Sequence, residues 1–202
     1  NVSGSGYRAQ GAVEENGRPV QAARDAALGR LCEAASLCTT AHITRAKDVY
    51  DVMGDPTEVA VLVAAAKAGV TKEALLQQYT VIGENPFDAA RKRMSVTVSG
   101  PGGVRLLCKG APDMLLARCT HIETPAGPRL LAPRDRADIN AACARMAGEA
   151  LRVLGFAESS TPAAGEEKLC FLGLMGMLDP PRPEVRPAVQ RCREAGIKPV
   201  MI

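Results

Sequence analysis

The sequence predicts a mixed α/β chain in which hairpin strands alternate with amphipathic helices, and three observations carry that expectation. Residues 93–109, RMSVTVSGPGGVRLLCK, alternate Met94, Val96 and Val98 with Ser95, Thr97 and Ser99 and then turn at GPGG, the period-two signature of a hairpin. Residues 54–69, GDPTEVAVLVAAAKAG, carry both ends of a helix: Asp55 to cap it, Pro56 at its first position, and Gly69 to close it. Residues 169–179, LCFLGLMGMLD, form a nearly unbroken apolar run that suits a strand buried on both faces.

The remaining elements follow in order. In AARDAALGRLCEAASLC, residues 22–38, Leu28, Leu31, Ala35 and Cys38 recur three or four apart on one helical face. Glu58 stands three residues after Asp55, where a capping box places its acid. In the return strand of the hairpin, Val104, Leu106 and Cys108 share one face, and Arg105, Leu107 and Lys109 the other. A helix starts at GAPDMLLARC, residues 110–119, with Pro112 in its first turn and Asp113 near the positive end of the dipole.

HIETPAGPRLL, residues 121–131, reads as a second hairpin, followed by a long helix from about Asp135 to Ala150 and the short apolar strand LRVLGFA, residues 151–157. TPAAGEEK, residues 161–168, has the composition of a linker, and ENPFD, residues 84–88, that of a loop. RPEVRPAVQRCREAGI, residues 182–197, reads as a helix ending at Gly196, and KPVMI, residues 198–202, as another buried strand. This closing strand, helix, strand unit has the pattern of a parallel α/β sheet cut from a larger protein.

Composition excludes several classes. The 202 residues are 47% hydrophobic and 23% charged, enough for one core or for one domain and part of another. No apolar run approaches the roughly 20 residues of a membrane span, and the N-terminus lacks the pattern of a signal peptide, so the chain is expected in water without direct membrane contact. A net charge of +3, from 25 cations and 22 anions, gives no electrostatic argument for nucleic acid. Seven cysteines without a CxxC pair and only two histidines lack metal-site spacing, and buried, reduced thiols are the expectation. There is no GxxxxGK[ST] loop, HExxH or GxSxG, so neither a catalytic triad nor a metal centre is expected.

Five short words occur in a telling order: GDPTEVA (54–60), FDAARKRMSV (87–96), KGAPDMLLARC (109–119), LRVLGFA (151–157) and GLMGMLDPPRPEVRPAV (173–189). Together they resemble the large cytosolic loop of P-type cation-transporting ATPases, most of all the type II, calcium-pump-like branch. The resemblance covers essentially the whole chain. It implies a nucleotide-binding (N) domain over residues 1–170, a twisted antiparallel sheet flanked by helices. Residues 171–202 would then be part of the phosphorylation (P) domain, a partial parallel α/β segment starting at the DPPRPEV hinge.

What the resemblance implies for residues follows position by position. Phe87 matches the aromatic that stacks on adenine, Glu58 the acid facing the adenine amino group, and Lys109, beside Gly110, the lysine at the floor of the ATP pocket. Lys92 and Met94 match pocket-lining positions, Arg152 the arginine that reaches the phosphates, and Asp179, Pro180 and Arg182 the hinge. A cation beside a glycine suits that role, because a ligand can approach the backbone there and meet charge.

The implied cofactor is ATP, as Mg-ATP in the parent, and the implied partners are the P and actuator domains of a membrane protein whose cytoplasmic part this is. The phosphorylated aspartate is absent, so the fragment is expected to bind nucleotide without turnover. Ala89 and Ala90 replace residues that are usually polar in this family, which keeps open an interaction module with a degenerate pocket. The cargo is also open: calcium by branch, or a proton, sodium, potassium or magnesium. A monomer is expected, with self-association through unpartnered strand edges in residues 169–202.

Overall fold

The computed structural model describes residues 1–4, 6, 10–46, 49–178 and 184–200. A small hairpin comes first, β1 (Val13–Glu15) and β2 (Arg18–Val20). It turns at Asn16 and Gly17, whose φ values of 51° and 75° are the left-handed pair that a tight turn between twisted strands requires. Helix α1 (Ala26–Leu37) is capped by Asp25, which accepts from Leu28 N at 3.0 Å. A second small hairpin, β3 (His42–Ala46) and β4 (Val49–Met53), leads into α2 (Pro56–Lys67) and the short α3 (Lys72–Leu76).

The main sheet begins with β5 (Thr80–Asp88), β6 (Arg93–Gly100) and β7 (Gly103–Gly110), followed by α4 (Pro112–Leu116), β8 (Cys119–Ile122) and β9 (Arg129–Leu130). Then come α5 (Pro133–Gly148), β10 (Arg152–Ser159), β11 (Leu169–Met177) and α6 (Val185–Glu194). The seven strands lie in the order β5-β6-β7-β10-β11-β8-β9. Every pairing is antiparallel except that of β11 with β8.

Both faces of this sheet are covered, so the strict alternation of β6 separates two cores rather than a core from solvent. On one face Met94, Val96, Val98, Leu107 and Phe156 pack against Ala34, Ala35 and Leu37 of α1, Val61 of α2 and Leu75 of α3. On the other, Leu106, Cys108, Ala157 and Phe171 pack against Leu115 and Leu116 of α4 and Ile139 of α5. Phe156 is fully buried at the centre. Burying such a side chain contributes about 1.5–3 kcal/mol, so layers of this kind supply most of the folding free energy. Charge ties α1 to the sheet as well: Glu158, 2% exposed, pairs with Arg30 of α1 and, at 3.2 Å, with Arg105, which also reaches Glu33 at 2.8 Å.

Several expectations change. The apolar run from Leu169 is a strand buried at its start, as expected, but it does not lack sheet partners: β10 pairs along most of one side and β8 along Leu169–Phe171 on the other. The expected division at 170/171 falls within β11, which runs on to Met177 in the same sheet. ENPFD is not a loop but the end of β5, an exposed edge strand whose pairing is irregular between Asn85 and Asp88. Of the strand expected over 198–202, residues 198–200 form none and are exposed, and 201–202 lie outside the described residues. The hinge residues Asp179, Pro180 and Arg182 lie outside the described residues.

Candidate functional site

Lys109 sits in the middle of the sheet, its backbone paired with Met94 on β6 and Phe156 on β10. Alternation along β7 points its side chain to the α1–α2 face with Leu107. It is 6% exposed, and a buried ammonium needs a counter-charge. Glu58 supplies it, with Oε1 accepting from Lys109 Nζ at 2.5 Å.

Glu58 therefore does not close a capping box. Asp55 caps α2 alone, accepting from Thr57 N at 2.8 Å, while the Glu58 carboxylate turns toward the segment that follows α1. Its Oε2 accepts from Thr39 Oγ1 at 2.9 Å, Thr40 N at 2.9 Å, Thr40 Oγ1 at 2.8 Å and Ala41 N at 2.9 Å. Burial alone would raise its pKa, but the hydrogen bonds from Lys109, Thr40 and Thr39, with the lysine charge, lower it to about 2. The segment is held from behind by Lys72, whose Nζ donates to Thr39 O at 2.8 Å and Ala41 O at 2.9 Å. Burial lowers the pKa of Lys72.

The other candidates lie on neighbouring elements. Arg152, exposed at the start of β10, donates from Nη1 to Thr57 Oγ1 at 2.8 Å, which brings it to the first turn of α2 beside Glu58. Phe87 is 64% exposed near the end of β5. Successive strands lie about 4.8 Å apart, so β5, β6 and β7 set Phe87, Met94 and Lys109 on three neighbouring strands at one end of the sheet. Lys92 is exposed in the β5–β6 turn at φ 51°, with its N donating to Asp88 O at 2.7 Å and its carbonyl accepting from Ala111 N at 2.9 Å.

Two candidates have a structural role in the sheet itself. Met94 is 3% exposed and belongs to the core beside Val96 and Phe156. Gly110 is small for its own chain's sake: a Cβ there would lie 2.5 Å from both Arg93 Cβ and Lys92 O, so the room it leaves is already filled by the neighbouring strand.

Sequence reasoning missed Thr39 and Thr40, since LCTTA resembles a surface helix end and nothing local points to Glu58. It also missed Glu166 in the linker-like TPAAGEEK, which accepts from Arg91 and Arg93 across the sheet. Glu166 borders a cleft of about 380 Å³ lined also by Gly83, Asn85, Arg91, Ser95 and Leu106. Ser95 and Leu106 point away from Met94 and Leu107, so this cleft opens on the face opposite Lys109.

A large sheet flanked by helices agrees with the fold class expected from the sequence motifs. The model of the family described as P-type ATPase, cytoplasmic domain N, matches residues 27–184, and the chain belongs to that family. It is 38% identical over 209 residues to a calcium-transporting ATPase of Bacillus subtilis, covering 100% of this chain and 24% of that protein. Calcium-transporting ATPase 1 of Bacillus cereus is 42% identical over 155 residues, covering 74% of this chain and 18% of its own length. Cation-transporting ATPase pma1 of Synechocystis is 36% identical over 174 residues, 82% of this chain and 19% of its own length.

The chain thus spans less than a quarter of the length of these relatives. The family description is of a cytoplasmic domain, in agreement with the location expected from the sequence. Among the described residues, no helix is long and apolar enough to cross a membrane.

Proposed function

We propose that this chain is the ATP-binding part of a P-type cation pump, holding adenine against Phe87 with Lys109 at the floor of the pocket. The observation that carries the reading is Phe87 itself: an aromatic ring 64% exposed, within two strands of a buried lysine. A flat apolar face kept in water gains from covering a base, typically about 1–3 kcal/mol per stacked base. Glu58 would face the adenine amino group, Lys92 would line the pocket and Arg152 would meet the phosphates. In the parent, the domain would deliver the γ-phosphate to an aspartate of the P domain, with Mg²⁺ neutralising the charge that develops.

The parent's cargo is proposed as calcium, because two of the three relatives above are named calcium-transporting. The third is named only cation-transporting, so a proton, sodium, potassium or magnesium remains the alternative. The division between N and P domains is proposed to fall after Met177, where β11 ends, with the hinge at Asp179, Pro180 and Arg182. The P and actuator domains are the partners this reading requires.

The test is a titration of the isotopically labelled chain with ATP, read by amide chemical shifts, with GTP for comparison. Shifts at Glu58, Phe87, Lys109 and Arg152 that favour ATP, and that vanish in Phe87→Ala and Lys109→Ala proteins shown to be folded, support the pocket. Unchanged binding in both variants sinks it. A second reading, an interaction module without nucleotide, draws on Ala89 and Ala90 and on a lysine whose charge Glu58 already balances. Absence of ATP shifts at millimolar nucleotide in the folded protein would favour it.

A further inference from the structure

We propose that Glu166 is a positioning residue for nucleotide binding: it locks the β5–β6 turn, residues 88–93, and so sets where Phe87 and Lys92 stand. The proposal rests on the ATP-binding reading above. It starts from a carboxylate that the sequence places in a linker and that the fold carries to the opposite face of the sheet from Lys109.

Glu166 reaches four side chains that bracket the turn. Its Oε1 accepts from Asn85 Nδ2 at 3.2 Å, Arg91 Nη1 at 2.6 Å and Ser95 Oγ at 2.9 Å, and its Oε2 accepts from Arg93 Nε at 2.6 Å. Asn85 precedes Phe87 on β5, Arg91 lies in the turn, and Arg93 and Ser95 begin β6. The Glu166 side chain is 10% exposed and that of Arg93 6%, so these charge-assisted bonds are largely shielded from water. Gly165, at φ 63°, supplies the left-handed residue immediately before Glu166, a conformation that a side chain would strain.

The clamp reaches Phe87 through its two chain neighbours. Arg91 Nη2 donates to Pro86 O at 2.6 Å and to Asn85 Oδ1 at 3.1 Å. Asp88 accepts from Arg91 N at 2.8 Å through its side chain and from Lys92 N at 2.7 Å through its carbonyl. Phe87 is thus an exposed ring on a backbone fixed before and after it. Without Glu166, two guanidinium groups two residues apart lose their shared counter-charge and the turn loses its tie to the β10–β11 connection. Burial would raise the Glu166 pKa, but hydrogen bonds from Arg91, Ser95 and Arg93 outweigh it, so the group stays ionised at neutral pH. An aromatic held in its binding position before the ligand arrives binds more tightly, because less ordering is left to the binding step.

The test is a double-mutant cycle on the 202-residue chain, with ATP affinity read from amide shifts. Glu166→Ala is expected to weaken ATP binding about tenfold, the size of losing charged hydrogen bonds that order a site, while shifts in β8 and α5 stay in place. Glu166→Gln, which keeps an acceptor, is expected to weaken it less. In a Phe87→Leu background, which leaves a smaller apolar side chain and weakened but measurable ATP binding, Glu166→Ala should cause less loss than in the wild type, since the ring that the clamp positions is gone.

If the wild type binds ATP and Phe87→Ala loses it, but Glu166→Ala binds normally, the inference falls and the pocket stands. Additive losses in the double variant place the effect of Glu166 elsewhere and also overturn it. A wild-type chain that does not bind ATP removes the nucleotide reading, and the role of Glu166 with it. Should Glu166→Ala fail to fold, Glu166→Gln carries the same cycle.

Discussion

Lys109 Nζ and Glu58 Oε1 stand 2.5 Å apart, joining the centre of the sheet to the first turn of α2. Removing one partner strands a shielded charge. Lys109→Met or Glu58→Gln alone is expected to cost about 3 kcal/mol of unfolding free energy, while the double variant recovers most of it. Urea unfolding of the three proteins checks this, and equal losses in single and double variants would contradict it.

The same pair sets a pH dependence. The Glu58 pKa is lowered from 4.5 to about 2 in the folded chain, so the carboxylate contributes stability that is complete above the unfolded value and lost as pH falls toward the folded one. Between about pH 5 and pH 2, stability should fall more steeply in the wild type than in Glu58→Gln. Parallel curves in the two proteins would refute the assignment.

Phe87→Ala separates exposure from packing. A ring that is 64% exposed adds little to the fold, so the unfolding free energy should change by less than about 0.5 kcal/mol while ATP-induced shifts disappear. A large loss of stability in urea would mean the ring is a core anchor after all.

Gly110→Ala tests the contact between β6 and β7. With 2.5 Å to both Arg93 Cβ and Lys92 O, the added methyl must push the strands apart, at about 2–3 kcal/mol. Wild-type stability of that variant would show that the turn yields freely.

Thiol reactivity should follow burial. Cys32, Cys38, Cys108 and Cys119 are buried, and burial is the main cause that pushes the first two and the last up to about 12 and raises Cys108 as well. Iodoacetamide at about pH 8 should label Cys192 on α6 first and leave these four unmodified until urea is added. Mass spectrometry of the labelled peptides reads the order.

Legibility in the sequence tracked how local the cause was. The β6–β7 hairpin was readable because alternation and GPGG lie within one short stretch, and α2 because Asp55, Pro56 and Gly69 mark its ends. Strand β5 was not, because TVIGENPFD is exposed along its whole length and so shows no apolar alternation. Lys109, Phe87 and Glu58 were singled out by motif. The partners that hold Glu58 come from Thr39, Thr40 and Ala41, 17 to 19 residues earlier, and Glu166 meets its partners across 71 to 81 residues. No periodicity encodes contacts of that range.

The strand order has a consequence for how the chain is made. β10 and β11 emerge late in synthesis yet fill the middle of the sheet, between β7 and β8. A nascent chain that has not yet delivered Leu169–Met177 holds β5-β6-β7-β10 and β8-β9 as separate pieces with open inner edges. The domain cannot close strand by strand from its N-terminus; it waits for its last strand, and chaperone protection would matter most in that interval.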